Sequence, residues 1–302
     1  MKYGIVGFGN QGIKRKKFLK KKDLLFTYDK YNKKAKFNDI NLLPLDKIKS
    51  VLLCVPDKEK FNLIKYFLKK DKHILVEKPL LIKPKQFNEL EKICNKKKLN
   101  VYTAYNHRFE PHIISLKKIL KNNNLGKIYY VNIFYGNGTS KLVKKSFWKD
   151  KYLGVLADLG SHLIDMVTFL LPKEFFKYKL IDSFKFENKT HDHAIFISNN
   201  NKIKVLCETT LNMWKNTFRL DIVGQKGSAH INGLCKWGPS KFTIRSRTFP
   251  SGHPKEKKYT IKMKDPTWNR EYNYFKNVFL RKKNNFYQDK FIAKQIFNLI
   301  KK

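Results

Sequence analysis

The sequence predicts an α/β protein whose N-terminal part is a doubly wound parallel sheet and whose C-terminal part carries a mostly antiparallel one. Three observations predict this. The first half alternates short apolar runs with longer amphipathic stretches, as βαβ units do. A glycine-rich turn lies between the first apolar run and the first helical stretch. From about residue 175, β-rich segments follow one another across short polar turns such as Asn199-Asn200-Asn201, the connection that antiparallel strands allow.

In chain order, strands are expected at residues 2–6, 24–28, 51–55, 73–77 and 100–104, with helices at 12–20, 58–69 and 84–96 between them. After residue 105 the pattern changes. A helix at 111–121 leads to a strand at 127–135, and a Gly- and Lys-rich loop leads to a helix at 156–171. Strands follow at 179–186, 194–198, 202–210, 218–223 and 242–247, then helices at 266–280 and 288–300. No internal repeat is present. The change near residue 106 divides the chain into a first domain, 1–106, and a second, 107–302.

With 302 residues, 42% of them hydrophobic and 14% aromatic, the chain has ample material for folded cores, which excludes a disordered protein despite its charge. That charge is +41, from 65 Lys+Arg against 24 Asp+Glu. The basic residues lie in short runs over the whole chain, at 14–17, 20–22, 96–98 and 255–258, rather than in one stripe, so neither nucleic acid nor an anionic membrane is expected as a partner. The summed field still favours anionic small molecules. Cys54, Cys94, Cys207 and Cys235 are far apart and form no C-x-x-C pair, so reduced thiols are expected, not a zinc knuckle or a disulfide framework. Residue 1 runs directly into a strand, and no apolar run reaches the length of a bilayer span, so the expected location is the cytoplasm.

Gly7-Phe8-Gly9-Asn10-Gln11-Gly12 spells G-x-G-x-x-G directly after an apolar strand and directly before a helix, which predicts a Rossmann dinucleotide-binding unit. Gly7 permits the tight turn, Gly9 lets the backbone approach a pyrophosphate, and Gly12 lets helix and strand pack closely. The helix N-terminus offers free amides and a positive dipole end. Asp29 closes the second strand, where a carboxylate accepts the ribose hydroxyls of NAD and repels a 2′-phosphate. Lys30 and Lys33 soften that repulsion, so NAD is expected and NADP stays open.

His73-Ile74-Leu75-Val76-Glu77-Lys78-Pro79 and the stretch from Gly154 through Asp158-Leu159-Gly160-Ser161-His162 to Asp165 resemble the glucose-fructose oxidoreductase, inositol dehydrogenase and MocA family. The likeness runs from residue 1 to about 210 and extends to Val55-Pro56, to Tyr105-Asn106-His107-Arg108-Phe109 and to Gly126-Lys127-Ile128; beyond residue 210 it is only general. The resemblance implies a C-terminal α/β domain whose open sheet joins subunits, hence a homodimer or homotetramer. It also implies an NAD(P)-dependent enzyme that oxidises or reduces a secondary alcohol or ketone on a sugar, cyclitol or nucleotide sugar. On that basis Val55, Pro56, Glu77, Lys78 and Asn106 join the glycine loop and Asp29 as cofactor-binding residues, and Lys78, Asp158 and His162 are the catalytic set. His162 and Asp165 are also candidates for binding substrate, with Arg108, Trp148 and His107 as further pocket-lining candidates.

The chemistry of these residues agrees with that assignment. Removing hydride from an alcohol carbon requires a group that takes the hydroxyl proton, and His162 titrates in the right range. Asp158 and His162, four apart, would share one face of a helix, with Asp165 near the same side. Lys78 ends a strand of a doubly wound sheet, where such folds bind ligands, and can stabilise an alkoxide or act as the base itself. Asp57 and Lys60 depart from the family's usual Asn and His after Pro56, Asp71 replaces a usual turn glycine, and Tyr152-Leu153 replace two glycines before Gly154. His191-Asp192-His193 would place two imidazoles on one side of a strand, but nothing beside it completes a coordination shell, and no metal is expected. The rival readings are a non-catalytic dinucleotide-binding sensor of the same fold and a polyanion-binding protein.

Overall fold

The computed structural model describes residues 1–146, 149–151, 154–172, 176–199, 202–282, 284 and 286–300. The N-terminal apolar runs form five parallel strands, β1 (Tyr3–Val6), β2 (Leu24–Tyr28), β3 (Ser50–Leu53), β4 (His73–Glu77) and β5 (Val101–Ala104), in the order β2-β1-β3-β4-β5. Strands β1, β3 and β5 are buried at every position, as a sheet covered on both faces requires. Between the strands run α1 (Asn10–Phe18), α2 (Asp57–Lys69) and α3 (Pro84–Lys97). Helix α1 starts two residues before the expected point, because the last half of the glycine motif is already helical.

The second unit begins with α4 (Pro111–Lys121) and β6 (Ile128–Gly136). The loop after β6 holds a short helix the sequence did not announce, α5 (Ser140–Lys144). The expected helix at 156–171 is two pieces: one π-helical turn at Leu156–Gly160, then α6 (Ser161–Leu170). Seven more strands follow: β7 (Tyr178–Phe184), β8 (His193–Asn199), β9 (Lys204–Thr210), β10 (Thr217–Gly224), β11 (Gly227–Asn232), β12 (Ser240–Ser246) and β13 (Lys255–Ile261). With β6 they make one eight-stranded sheet, β13-β12-β11-β10-β6-β9-β8-β7, antiparallel throughout except between β6 and β9. Strands alternate buried and exposed residues, so one face is covered and the other open.

The chain closes with α7 (Thr267–Asn277) and α8 (Tyr287–Ile300). Here the domain division departs from the expected 107–302. One compact unit comprises Met1–Asn106 with Thr267–Ala293, and the other His107–Pro266 with Lys294–Lys302. The physical reason is the apolar stripe of α7: Tyr272 and the fully buried Phe275 complete the cluster of Tyr3, Ile5, Leu75 and Tyr102 in the first unit. The rings of Tyr3 and Tyr272 meet edge to face with centroids 5.1 Å apart. Among the described residues no helix is long and apolar enough to cross a membrane.

Candidate active site

The glycine loop joins β1 to α1 and is fixed by its neighbours. The Gly7 amide donates to the Tyr28 carbonyl of β2 at 2.9 Å. Gly7 has φ +87°, and a Cβ there would stand 2.4 Å from the Cys54 carbonyl oxygen, so only glycine fits. A Cβ on Gly12 would stand 2.1 Å from the Gly7 carbonyl oxygen. A Cβ on Gly9, by contrast, would meet nothing within 4 Å. The loop is therefore closed on its protein side and open at the glycine where a pyrophosphate would approach. Asp29 follows β2, and its Oδ2 accepts the Phe8 amide at 2.7 Å while its Oδ1 accepts the amides of Tyr31 and Asn32, each at 2.9 Å. Asn32 returns a bond to the Phe8 carbonyl at 2.7 Å. The carboxylate thus lies against the glycine loop and keeps a lone pair on Oδ2 for a ribose hydroxyl. These features fit a bound dinucleotide.

Glu77-Lys78-Pro79 leaves the end of β4 in the same unit, with Lys78 half-buried and its bond to Pro79 cis. Glu77 turns its carboxylate inward to Arg15 of α1, whose Nε donates to Oε1 at 2.6 Å. The same guanidinium donates from Nη1 to Glu271 of α7 at 2.7 Å and lies 4.4 Å from the Trp268 ring centroid. All three charged side chains are nearly inaccessible to solvent. Asn106 donates from Nδ2 to the Thr267 hydroxyl at 2.8 Å. Val55 and Pro56 form the turn between β3 and α2, with Pro56 at the N-cap of α2. Burial, reinforced by the Glu77 charge, raises the Cys54 thiol far above its ordinary range, so it is no nucleophile.

In the second unit, His162 lies on the first turn of α6 and stacks on His107, with ring centroids 4.1 Å apart and planes 17° apart. Lys236 Nζ is 2.6 Å from His107 Nε2; an ammonium only donates, so that nitrogen holds its lone pair and His107 is neutral. Tyr135 of β6 packs edge-on to His162 at 5.9 Å and tilts over Trp237 at 5.4 Å. Its hydroxyl is held protonated by burial and by the nearby charge of Asp158. The short helical turn Cys235–Trp237 that brings in Lys236 is anchored by Glu110, whose Oε2 accepts the Cys235 amide at 3.1 Å. Arg108 forks onto the buried Asp165, with Nε donating to Oδ2 at 2.8 Å and Nη2 to Oδ1.

Of the residues singled out in sequence, Gly7 to Gly12 and Asp29 come together, as do Arg108 with Asp165 and His107 with His162. Asp158 lies on the π turn that runs directly into α6, and both it and His162 neighbour Tyr135. Trp148 and Tyr152-Leu153 fall outside the described residues. In the His191-Asp192-His193 run, β8 starts only at His193, so strand alternation does not align the two imidazoles. Asp192 is used as a loop cap, accepting the amides of Phe186, Glu187 and Asn188 at 2.7–3.0 Å. Among the described residues no group of His, Cys, Asp or Glu is arranged to hold a metal ion. Sequence reasoning missed Arg15, Tyr135, Lys236, Trp237 and Glu271. A glutamate inside the apolar face of α7 was the one available signal, for Glu271.

Comparison with known proteins places this geometry. A family model described as an oxidoreductase family with an NAD-binding Rossmann fold matches residues 1–105, and one for the GFO/IDH/MocA C-terminal domain matches 113–230. The chain is 32% identical over 113 residues to glucose-6-phosphate 3-dehydrogenase of Bacillus subtilis, covering 36% of this chain and 32% of that protein. It is 26% identical over 127 residues to inositol 2-dehydrogenase of Rhizobium meliloti, covering 42% of this chain and 38% of that protein. The matched stretches thus span about a third of these curated relatives. A solved levoglucosan dehydrogenase in complex with NADH superposes with a TM-score of 0.80 at 16% identity, covering 99% of this chain and 96% of that one, which shows a shared fold.

Proposed function

We propose, starting from the fact that this chain belongs to the glucose-fructose oxidoreductase, inositol dehydrogenase and MocA (Gfo/Idh/MocA) family, that it is an NAD(H)-dependent dehydrogenase or reductase acting on a secondary alcohol or ketone of a sugar-like substrate. The observation that carries this reading is the loop at Gly7 to Gly12, closed against the protein at Gly7 and Gly12 but open at Gly9, on the same sheet whose β4 is followed directly by Lys78. When bound, the nicotinamide ring accepts or returns the hydride. The glycine loop and the amides at the start of α1 hold the pyrophosphate. Asp29 accepts the ribose hydroxyls and disfavours a 2′-phosphate. His162 takes the hydroxyl proton during oxidation and returns it during reduction, a role worth about a hundred- to ten-thousandfold. Lys78 donates hydrogen bonds to the oxygen as it gains negative charge. Asp158 sets the local charge beside His162 and Tyr135.

The strongly basic chain favours a phosphorylated or nucleotide-linked sugar, and the B. subtilis relative is named for a phosphorylated one. We further read the protein as a cytoplasmic homodimer or homotetramer. Half-exposed Tyr130 and Leu206 on the open face of the eight-stranded sheet support a subunit contact there.

The test is to compare NADH and NADPH binding by fluorescence titration, then follow nicotinamide absorbance with glucose, glucose 6-phosphate, myo-inositol and UDP-N-acetylglucosamine. Lys78→Met and His162→Ala are each expected to bind NADH within about threefold of wild type while turnover drops at least about a hundredfold. Near-wild-type rates in both variants would overturn the catalytic assignment.

A further inference from the structure

Lys60, on the first turns of α2, is among the largest fully buried side chains, at 2% exposure. A lysine is almost never found so deep without specific partners, because its ammonium must replace its water. Here the ammonium has two: the Pro79 carbonyl at 2.6 Å and Asp57 Oδ1 at 2.6 Å. Asp57 is the first residue of α2 and follows Val55-Pro56 directly. Pro79 directly follows Lys78 and is itself buried. One ammonium therefore ties the turn after β3 to the peptide that leaves β4. Pro79 has no amide hydrogen of its own, so its carbonyl is the only backbone hydrogen-bonding group that this residue offers. Arg15 holds the other side through Glu77. The backbone of Lys78 is thus clamped on both flanks, by a buried guanidinium before it and a buried ammonium after it.

We propose that Lys60 is a positioning residue for Lys78: its charge-assisted bond to the Pro79 carbonyl sets the backbone from which the Lys78 side chain reaches the reacting oxygen. This rests on the reading above that Lys78 serves the chemistry. Geometry of this kind carries large rate effects, since a misplacement of about 1 Å can cost about a hundredfold. Both bonds of Lys60 go to Asp57 and Pro79 and neither to the glycine loop, so NADH affinity is expected to change far less than turnover.

The decisive experiment is a double-mutant cycle on the full chain, with turnover measured on the sugar of the above panel that wild type oxidises fastest. Lys60→Met keeps the aliphatic stem and removes the donor. It is expected to lower kcat about 10- to 100-fold, with the NADH dissociation constant within about threefold and an unchanged oligomeric state. Lys78→Met is expected to abolish most turnover, and adding Lys60→Met to it is expected to change kcat by less than about twofold, because the second residue acts only through the first. Lys60→His, which restores a donor, is expected to recover at least part of the lost kcat. If Lys60→Met keeps wild-type kcat, or lowers kcat by the same factor with and without Lys78, the positioning role is wrong while the assignment of Lys78 stands. If Lys78→Met itself keeps wild-type kcat, it is the assignment of Lys78 that fails, and the positioning role fails with it.

Discussion

Replacing Arg15 by methionine tests the charged centre of the first unit. The guanidinium, its side chain 4% exposed, bonds Glu77 at 2.6 Å and Glu271 at 2.7 Å, whose side chains are 8% and 0% exposed. Methionine fills most of the stem's volume and keeps contact with the Trp268 ring, so the cavity contribution is small. What remains is two carboxylates without their cation. Removing one partner of a buried pair costs about 3–5 kcal/mol, and losing the cation over Trp268 adds about 0.5–1 kcal/mol. A loss near 4 kcal/mol corresponds to a melting temperature lower by roughly 10 °C for a unit of this size. The assay is differential scanning calorimetry at pH 7.5 in high and low salt, because a buried triad is little screened. The triple variant R15M/E77Q/E271Q, which removes all three charges together, is expected to recover at least half of the lost stability. A single variant melting within about 2 °C of wild type would refute the reasoning, and so would a triple variant no more stable than the single one.

The glycine loop separates folding from binding. Gly9→Ala is expected to melt like wild type, since its Cβ meets nothing within 4 Å, yet to bind NADH at least tenfold more weakly; Gly12→Ala, with its Cβ 2.1 Å from the Gly7 carbonyl, is expected to lose both binding and about 1–3 kcal/mol of stability. Calorimetry and fluorescence titration read the two effects apart. Burial raises the Glu110 carboxyl above its usual range against the opposing bond from Cys235 and charge of Lys236. Its native state therefore binds the proton more tightly than the unfolded chain, and the stabilisation this gives is present at low pH and lost as pH rises through the native value. Relative to wild type, Glu110→Gln is expected to gain stability from about pH 4 up to the raised native value and to hold level above it in denaturant titrations. A difference independent of pH would contradict it.

Much of the fold is legible where burial acts on consecutive residues. Strands β2 and β4 form at the expected residues because each is an apolar run ended by a turn residue or by a lysine and proline. Strand β13, Lys-Glu-Lys-Lys-Tyr-Thr-Ile, offers no such pattern: almost every residue is exposed, and it is held by its ladder to β12. Strand β11 mixes Gly, Ser and His with its apolar residues, so its alternation is faint in sequence although Ala229 and Ile231 are buried. In the site, the glycine loop and Asp29 are local in sequence and were readable. Arg15 was not, because it sits inside Lys14-Arg15-Lys16-Lys17 and only folding shows that it alone of the four is buried. Lys60 was visible only as a departure from a family pattern. Lys236 lies in a stretch without motif, and its place beside His107 depends on a turn anchored by Glu110, 125 residues earlier.

The origin of Glu271 bears on how the protein is made. The glycine loop, Asp29 and Lys78 all emerge from the ribosome within the first 80 residues, yet the helix that supplies a carboxylate to Arg15 and two rings to the core around Tyr102 begins at Thr267. At synthesis rates of about 5–20 residues per second, that nascent sheet waits roughly 10 to 40 s with Arg15 short of its second carboxylate and an apolar groove uncovered. A fragment ending after β5 would keep that defect permanently and would tend to associate through it, although it contains the whole nucleotide-binding signature.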